Sequence, residues 1–201
     1  MNKVDRKIQQ VAEMLLLRDL IEKYPTGILS IVSDTFNLWD VCTEYLPRLK
    51  EEILSRDGKL VIRPDSGDPA DILCGIQKYR LNTYQNGKSY LKEFYDLPGR
   101  DFHPGEPSPS KDGKEVSSNE IKGVIELLWD IFGGTVNEQG YKVLNSHIGA
   151  IYGDSITLER ADEICRRLEA KGFACTNVVF GIGSFTYQFN TRDTFGLVFS
   201  H

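Results

Sequence analysis

Arg63 and Asp65 stand two residues apart with Pro64 between them. The proline favours an extended backbone at Arg63, so both side chains can project to the same side of the chain. A guanidinium and a carboxylate placed in this way can pair with each other or can meet a ligand rich in hydroxyls, and the residues alone leave those readings balanced. Ser66-Gly67-Asp68-Pro69 then turns the chain. A tight turn after a strand can present backbone N–H groups to an anion or hydroxyl, or can be an ordinary turn.

Two further clusters carry similar chemistry. Gly153-Asp154-Ser155 offers an acidic acceptor beside a glycine that allows close approach, which suits the vicinal hydroxyls of a ribose. The competing role, an N-terminal helix cap by Asp154 or Ser155, is the better reading of that triplet taken alone. Gly181-Ile182-Gly183-Ser184, followed by Thr191-Arg192-Asp193, suggests a phosphate clamp, with backbone N–H groups on one side and the Arg192 guanidinium on the other.

The elements that must position these residues follow from the apolar pattern. Val4 to Lys23 places Ile8, Val11, Leu15, Leu16 and Leu20 at helical spacing, a stripe expected to pack on a core. Four short β-prone runs, Ile28–Val32, Leu60–Ile62, Ile148–Tyr152 and Val178–Phe180, each end in polar or glycine residues. A helix is expected from about Phe36 to Ser55, started, bent or interrupted at Pro47. Another is expected from about Asn119 to Ile131.

Thr157 can cap a further helix whose Leu158, Ala161, Ile164, Cys165 and Leu168 form a stripe, with Gly172 as its stop. Alternating strands and helices predict an α/β fold with a largely parallel sheet, open or closed into a barrel. In such folds, residues just beyond the C-terminal strand ends converge on one face. The Gly-, Pro- and Ser-rich stretch from about Tyr79 to Ser118 reads as a long surface excursion within one domain, 1–201.

A net charge of -5 disfavours a surface devoted to nucleic acid or acidic membrane. Cys42, Cys74, Cys165 and Cys175 lack CxxC pairing and read as reduced thiols, and the histidines lack metal-ligand spacing. With no signal-type apolar start and no bilayer-length apolar run, a cytoplasmic protein is expected.

Taken in order, Ile31-Val32-Ser33-Asp34, the Arg63–Pro69 motif, Gly140-Tyr141-Lys142-Val143-Leu144, Tyr152-Gly153-Asp154-Ser155, Phe180-Gly181-Ile182-Gly183-Ser184 and Thr191-Arg192-Asp193 resemble the downstream half of the catalytic domain of nicotinamide phosphoribosyltransferases. The resemblance runs from about Leu15 to Phe199, apart from the excursion. It implies part of an irregular type II phosphoribosyltransferase α/β barrel, working as a homodimer or with a complementing chain. It also implies synthesis of nicotinamide mononucleotide and pyrophosphate from nicotinamide and phosphoribosyl pyrophosphate, with magnesium, in NAD salvage.

By that resemblance Arg63, Asp65 and Asp34 would be the catalytic residues. Arg63 would lie near base and ribose, Asp65 and Asp154 would hold ribose hydroxyls, and Gly153 would admit the sugar. Gly183, Ser184 and Arg192 would grip the 5′-phosphate, Asp34 would arrange the magnesium-pyrophosphate region, and Ser30 would lie near the nicotinamide pocket. The family's upstream aromatic residues and phosphorylated histidine have no counterpart here, which leaves ATP coupling in doubt. The chain therefore reads as incomplete, with a non-catalytic phosphoribosyl-binding or dimerisation module as the alternative.

Overall fold

The computed structural model describes residues 3–85, 88–95, 109–111, 114–153 and 156–181. Helix α1 (Lys3–Lys23) leads into strand β1 (Thr26–Val32). The next helical stretch is assembled from α2 (Leu38–Asp40), a π turn at Val41–Tyr45, α3 (Leu46–Arg48) and α4 (Lys50–Leu54). Pro47 explains the interruption: it has no N–H to donate and its ring collides with the preceding turn. The strain is taken up by the wider turn, in which the Leu46 N–H bonds to the Val41 carbonyl.

Strand β2 (Asp57–Arg63) is followed by α5 (Pro69–Cys74), whose N-terminus is capped by Asp68 accepting from the Ala70 and Asp71 amides. The excursion expected between Tyr79 and Ser118 contains regular structure. Strands β3 (Lys78–Gln85), β4 (Lys88–Tyr95), β5 (Pro109–Lys111) and β6 (Lys114–Glu115) form an antiparallel sheet in the order β4-β3-β5-β6.

The helix expected from Asn119 to Ile131 is two helices, α6 (Ser118–Lys122) and α7 (Val124–Phe132). Gly123 breaks it with φ +78, where an added Cβ would stand 2.2 Å from the Gly75 amide nitrogen. A short antiparallel pair, β7 (Gly134–Val136) and β8 (Lys142–Leu144), precedes β9 (Ile148–Tyr152), α8 (Leu158–Ala170) and β10 (Val178–Phe180). The Thr157 hydroxyl caps α8 by accepting from the Arg160 amide, and Gly172 follows its end at φ +74.

The four expected apolar strands form one sheet, in the order β1-β2-β9-β10, and every neighbouring pair is parallel. The fold is therefore α/β with crossover helices, consistent with a partial barrel that does not close. Side chains alternate across the sheet. Leu60, Ile62, Ile148 and Ala150 point to the helical side, where they share a buried core with Leu73, Val124, Leu128, Ile164 and Leu168. On the opposite face Ile28, Val32 and Val179 are more than half exposed.

Two apolar stripes differ from expectation. In α1, Ile8, Val11, Leu15 and Leu16 are exposed, while Leu17 and Ile21 are buried and Met14 packs beside them. Gln10 donates to Asp40 at 2.7 Å and Arg18 meets Glu52 at 3.4 Å beside the inward Met14-Leu17-Ile21 line. In α8, Leu158 is exposed and Arg167 is buried between Ile164 and Leu168 in sequence.

All four cysteines are free. Burial pushes the Cys42 and Cys74 thiols up to about 12, so both are protonated packing groups. No described helix is long and apolar enough to cross a membrane.

Candidate phosphoribosyl site at the strand ends

Ser33 ties the ends of β1 and β2 together. Its amide donates to the Arg63 carbonyl at 3.0 Å, and its hydroxyl accepts from the Arg63 amide while donating to the Ile31 carbonyl. Asp34, the next residue, reaches across to the turn after β2. One carboxylate oxygen, Oδ2, accepts from the Asp65 amide at 2.9 Å and the Ser66 amide at 2.7 Å. These are charge-assisted bonds, which set the turn and hold a negative charge beside it.

The same turn is held from the other side by β9. The Tyr152 hydroxyl donates to the Gly67 carbonyl at 3.0 Å. Residues 65–67 are thus pinned by side chains from both flanking strands, although Asp34 and Tyr152 are distant from the turn in sequence.

Arg63 lies between these anchors. Its Nη2 is 3.6 Å from Asp65 Oδ1, with the side chains 43% and 48% exposed. A pair so long and so open to water contributes little to stability. Its buried Nε has no hydrogen-bond partner among the described residues. A Cβ added to Gly153 would stand 3.4 Å from Arg63 Nε and Nη2, so the glycine leaves the space beside the guanidinium clear.

Gly181 continues this line. Its amide donates to the Tyr152 carbonyl at 2.8 Å, and an added Cβ would stand only 2.6 Å from Gly153 Cα. Three adjacent strand ends therefore contribute an arginine and two glycines side by side. Ser30 is exposed on β1, paired in register with Val61 and two residues back from Val32, the partner of Arg63. By alternation it shares the face on which Arg63 stands.

Of the residues singled out in the sequence, Ser30, Asp34, Arg63, Asp65 and Gly153 are described and lie at or near these neighbouring strand ends. Asp154, Ser155, Gly183, Ser184 and Arg192 lie outside the described residues. Thr157 caps the helix that follows Asp154 and Ser155, accepting from the Arg160 amide. Sequence reasoning gave Ser33 and Tyr152 no role, though both lie in the matching stretches, and read Gly181 only as part of a phosphate clamp. Tyr152 carried a usable signal, since a tyrosine at an inward strand position needs a partner for its hydroxyl.

The Asp34 clamp gives a direct expectation. In Asp34→Ala the Asp65 and Ser66 amides should exchange about 10- to 100-fold faster with solvent, the equivalent of one charged hydrogen bond of about 1.5–3 kcal/mol. Asp34→Asn, which keeps a neutral acceptor, should fall between variant and parent. Native-state amide exchange measures both.

The sequence model of the nicotinate phosphoribosyltransferase family matches residues 3–200. The chain is 46% identical over 191 residues to a nicotinamide phosphoribosyltransferase of Acinetobacter baylyi, an alignment covering 92% of this chain and 31% of that protein. Identity to the nicotinamide phosphoribosyltransferase of Mycoplasma pneumoniae is 36%, covering 94% of this chain and 34% of the relative. With that of Mycoplasma genitalium it is 33%, over 93% and 34%. The chain spans about a third of the length of these curated relatives. A family match extending over nearly every residue, including all of the strand ends described above, establishes that the chain belongs to the nicotinate phosphoribosyltransferase family.

Proposed function

We propose that this chain supplies the phosphoribosyl-binding part of a nicotinamide phosphoribosyltransferase, which forms nicotinamide mononucleotide and pyrophosphate from nicotinamide and phosphoribosyl pyrophosphate in NAD salvage. The observation that carries the reading is the Arg63 guanidinium beside Gly153, against which Gly181 packs, next to a turn held by Asp34. Cleared space, one cation and carboxylates at adjoining strand ends suit a sugar whose ring becomes positive as its leaving group departs. The names of the relatives support the choice of nicotinamide.

In this reading Arg63 contacts base and ribose from the side left open by Gly153. Asp65 and Asp154 accept from ribose hydroxyls, and Ser30 lies toward the nicotinamide. Gly183, Ser184 and Arg192 bind the 5′-phosphate. Displacement at the anomeric carbon then needs mainly positioning and electrostatic stabilisation. The Asp65 carboxylate faces the developing positive charge, while the Asp34 clamp keeps Asp65 in place.

Magnesium fits the donors present to a limited extent. Among the described residues no group of three or more His, Cys, Asp or Glu forms a cage, and magnesium commonly takes one or two carboxylates with water and phosphate oxygens. Asp34 would be its protein ligand through Oδ1, since Oδ2 already serves two amides. Bound there with pyrophosphate, it would neutralise leaving-group charge.

The exposed apolar sheet face favours a second reading, in which the chain binds nucleotide or assembles with another chain without turning substrate over alone. The two readings separate in one pair of assays. Synthesis predicts magnesium-dependent formation of nicotinamide mononucleotide by this chain, alone or mixed with the remaining two-thirds of a relative; no product in either case removes it. Binding predicts calorimetric heat with nicotinamide mononucleotide that weakens at least about tenfold in Arg192→Ala, for the loss of a charge-assisted phosphate contact. Equal heat in the variant removes the phosphate assignment.

A further inference from the structure

Cys165 and Cys175 stand apart from the strand-end site, on the return from α8 to β10. Cys165 is half-buried on the helix, and Cys175 is exposed at the start of the 3-10 turn Cys175–Asn177, immediately before β10. The Cys175 Sγ lies 3.7 Å from the carbonyl oxygen of Cys165, so one sulfur already rests against the residue that bears the other. Burial raises the Cys165 thiol to about 11, and its hydrogen bond with the Cys175 thiol adds to the rise. Cys42 and Cys74 are sealed in the core, which leaves these two as the thiols with both contact and access.

The backbone around the pair is firmly placed. The Phe173 amide bonds to the Leu168 carbonyl, closing the end of α8. Asn177, buried just beyond Cys175, accepts from the Leu144 amide at 2.8 Å and donates to the Lys142 carbonyl at 2.9 Å. The two cysteines therefore stand together on a short return between firmly placed elements.

We propose that Cys165 and Cys175 form a modification site, a dithiol that exchanges with low-molecular-weight disulfides to close an intramolecular disulfide. Access decides the order. The exposed Cys175 thiolate attacks the external disulfide, forming a mixed disulfide and releasing one small thiolate. Cys165, losing its proton to solvent, then attacks the Cys175 sulfur and expels the second small thiolate. Two protein thiols are oxidised and one external disulfide is reduced to two thiols. The new bond ties α8 to the start of β10, the strand that ends beside Gly181 and Gly153.

The folded protein is incubated with oxidised glutathione, quenched by alkylation and digested for mass spectrometry. The expected result is a peptide pair linked through Cys165 and Cys175, with Cys42 and Cys74 recovered as thiols once the protein is unfolded. In Cys165→Ser the glutathione mixed disulfide should accumulate on Cys175, and in Cys175→Ser modification of Cys165 should be at least about tenfold slower, as access limits exchange. The proposal is overturned if the parent protein accumulates the mixed disulfide on Cys175 while Cys165 stays alkylatable. Linkage that appears only in urea, or only between two molecules, overturns it as well.

Discussion

Gly75→Ala is expected to destabilise the protein by about 4 kcal/mol or more, a large share of the total stability of a typical domain. Gly75 ends α5 at φ +85, a conformation that L side chains rarely adopt. Strain is the smaller part of the effect. An added Cβ would stand 1.9 Å from the Ile121 carbonyl oxygen, and Gly123 approaches from the other side, where its own Cβ would stand 2.2 Å from the Gly75 amide nitrogen. The two glycines let the ends of α5 and α6 cross backbone to backbone, and the Ile76 amide bonds to the Glu120 carbonyl through that crossing.

Gly140→Ala provides the control. Gly140 has φ +88 but nothing within 4 Å of an added Cβ, so only backbone strain of about 1–3 kcal/mol applies. Urea denaturation of the two variants measures the difference. Equal losses would mean that α5 and α6 do not cross at these glycines.

Arg167→Ala is expected to cost about 3–5 kcal/mol, the range for breaking a buried ion pair from one side. The Arg167 side chain is 9% exposed, and Nη2 is 2.9 Å from Asp71 Oδ1 while also donating to the Gly75 carbonyl. Nη1 reaches Glu163 at 3.2 Å. The arginine thus joins α8 to the C-terminal end of α5 at the glycine crossing. Its neighbour Arg166 pairs with Asp162 at 67% and 71% exposure, and Arg166→Ala should cost no more than about 0.5 kcal/mol. Chemical denaturation of both variants tests the contrast, and a small loss for Arg167→Ala would contradict the buried pairing.

These two positions also show what the amino-acid sequence does and does not disclose. The four parallel strands were legible, because short β-branched runs ending in polar residues have few other uses. So were the Thr157 cap, the Gly172 stop and the break near Pro47, each of which depends on local backbone chemistry. The crossing of Gly75 and Gly123 was not, since it depends on which two helix ends meet in space. Arg166 and Arg167 have identical side chains, and only the packing of α5 on α8 separates them.

The same division holds at the strand ends. Arg63, Asp65 and Gly153 could be picked out by residue type and position, and Asp34 and Ser30 by family resemblance. That Asp34 would grip the turn at Asp65 and Ser66 could not be read from either, because the bond spans two strands and forms only once β1 lies beside β2. The exposed stripe of α1 was misjudged for a related reason. Periodicity identifies an apolar side, but which side faces inward depends on the elements that α1 meets in the folded chain.

The most direct test of the strand-end assignment is an amide chemical-shift titration of the isotope-labelled protein with nicotinamide mononucleotide. The largest changes are expected at Arg63, Asp65, Gly153 and Gly181, and they should diminish in Arg63→Ala. Saturating nucleotide that leaves those four amides unmoved, or that shifts α5 and α8 on the helical side instead, would contradict a phosphoribosyl site at the ends of β2, β9 and β10.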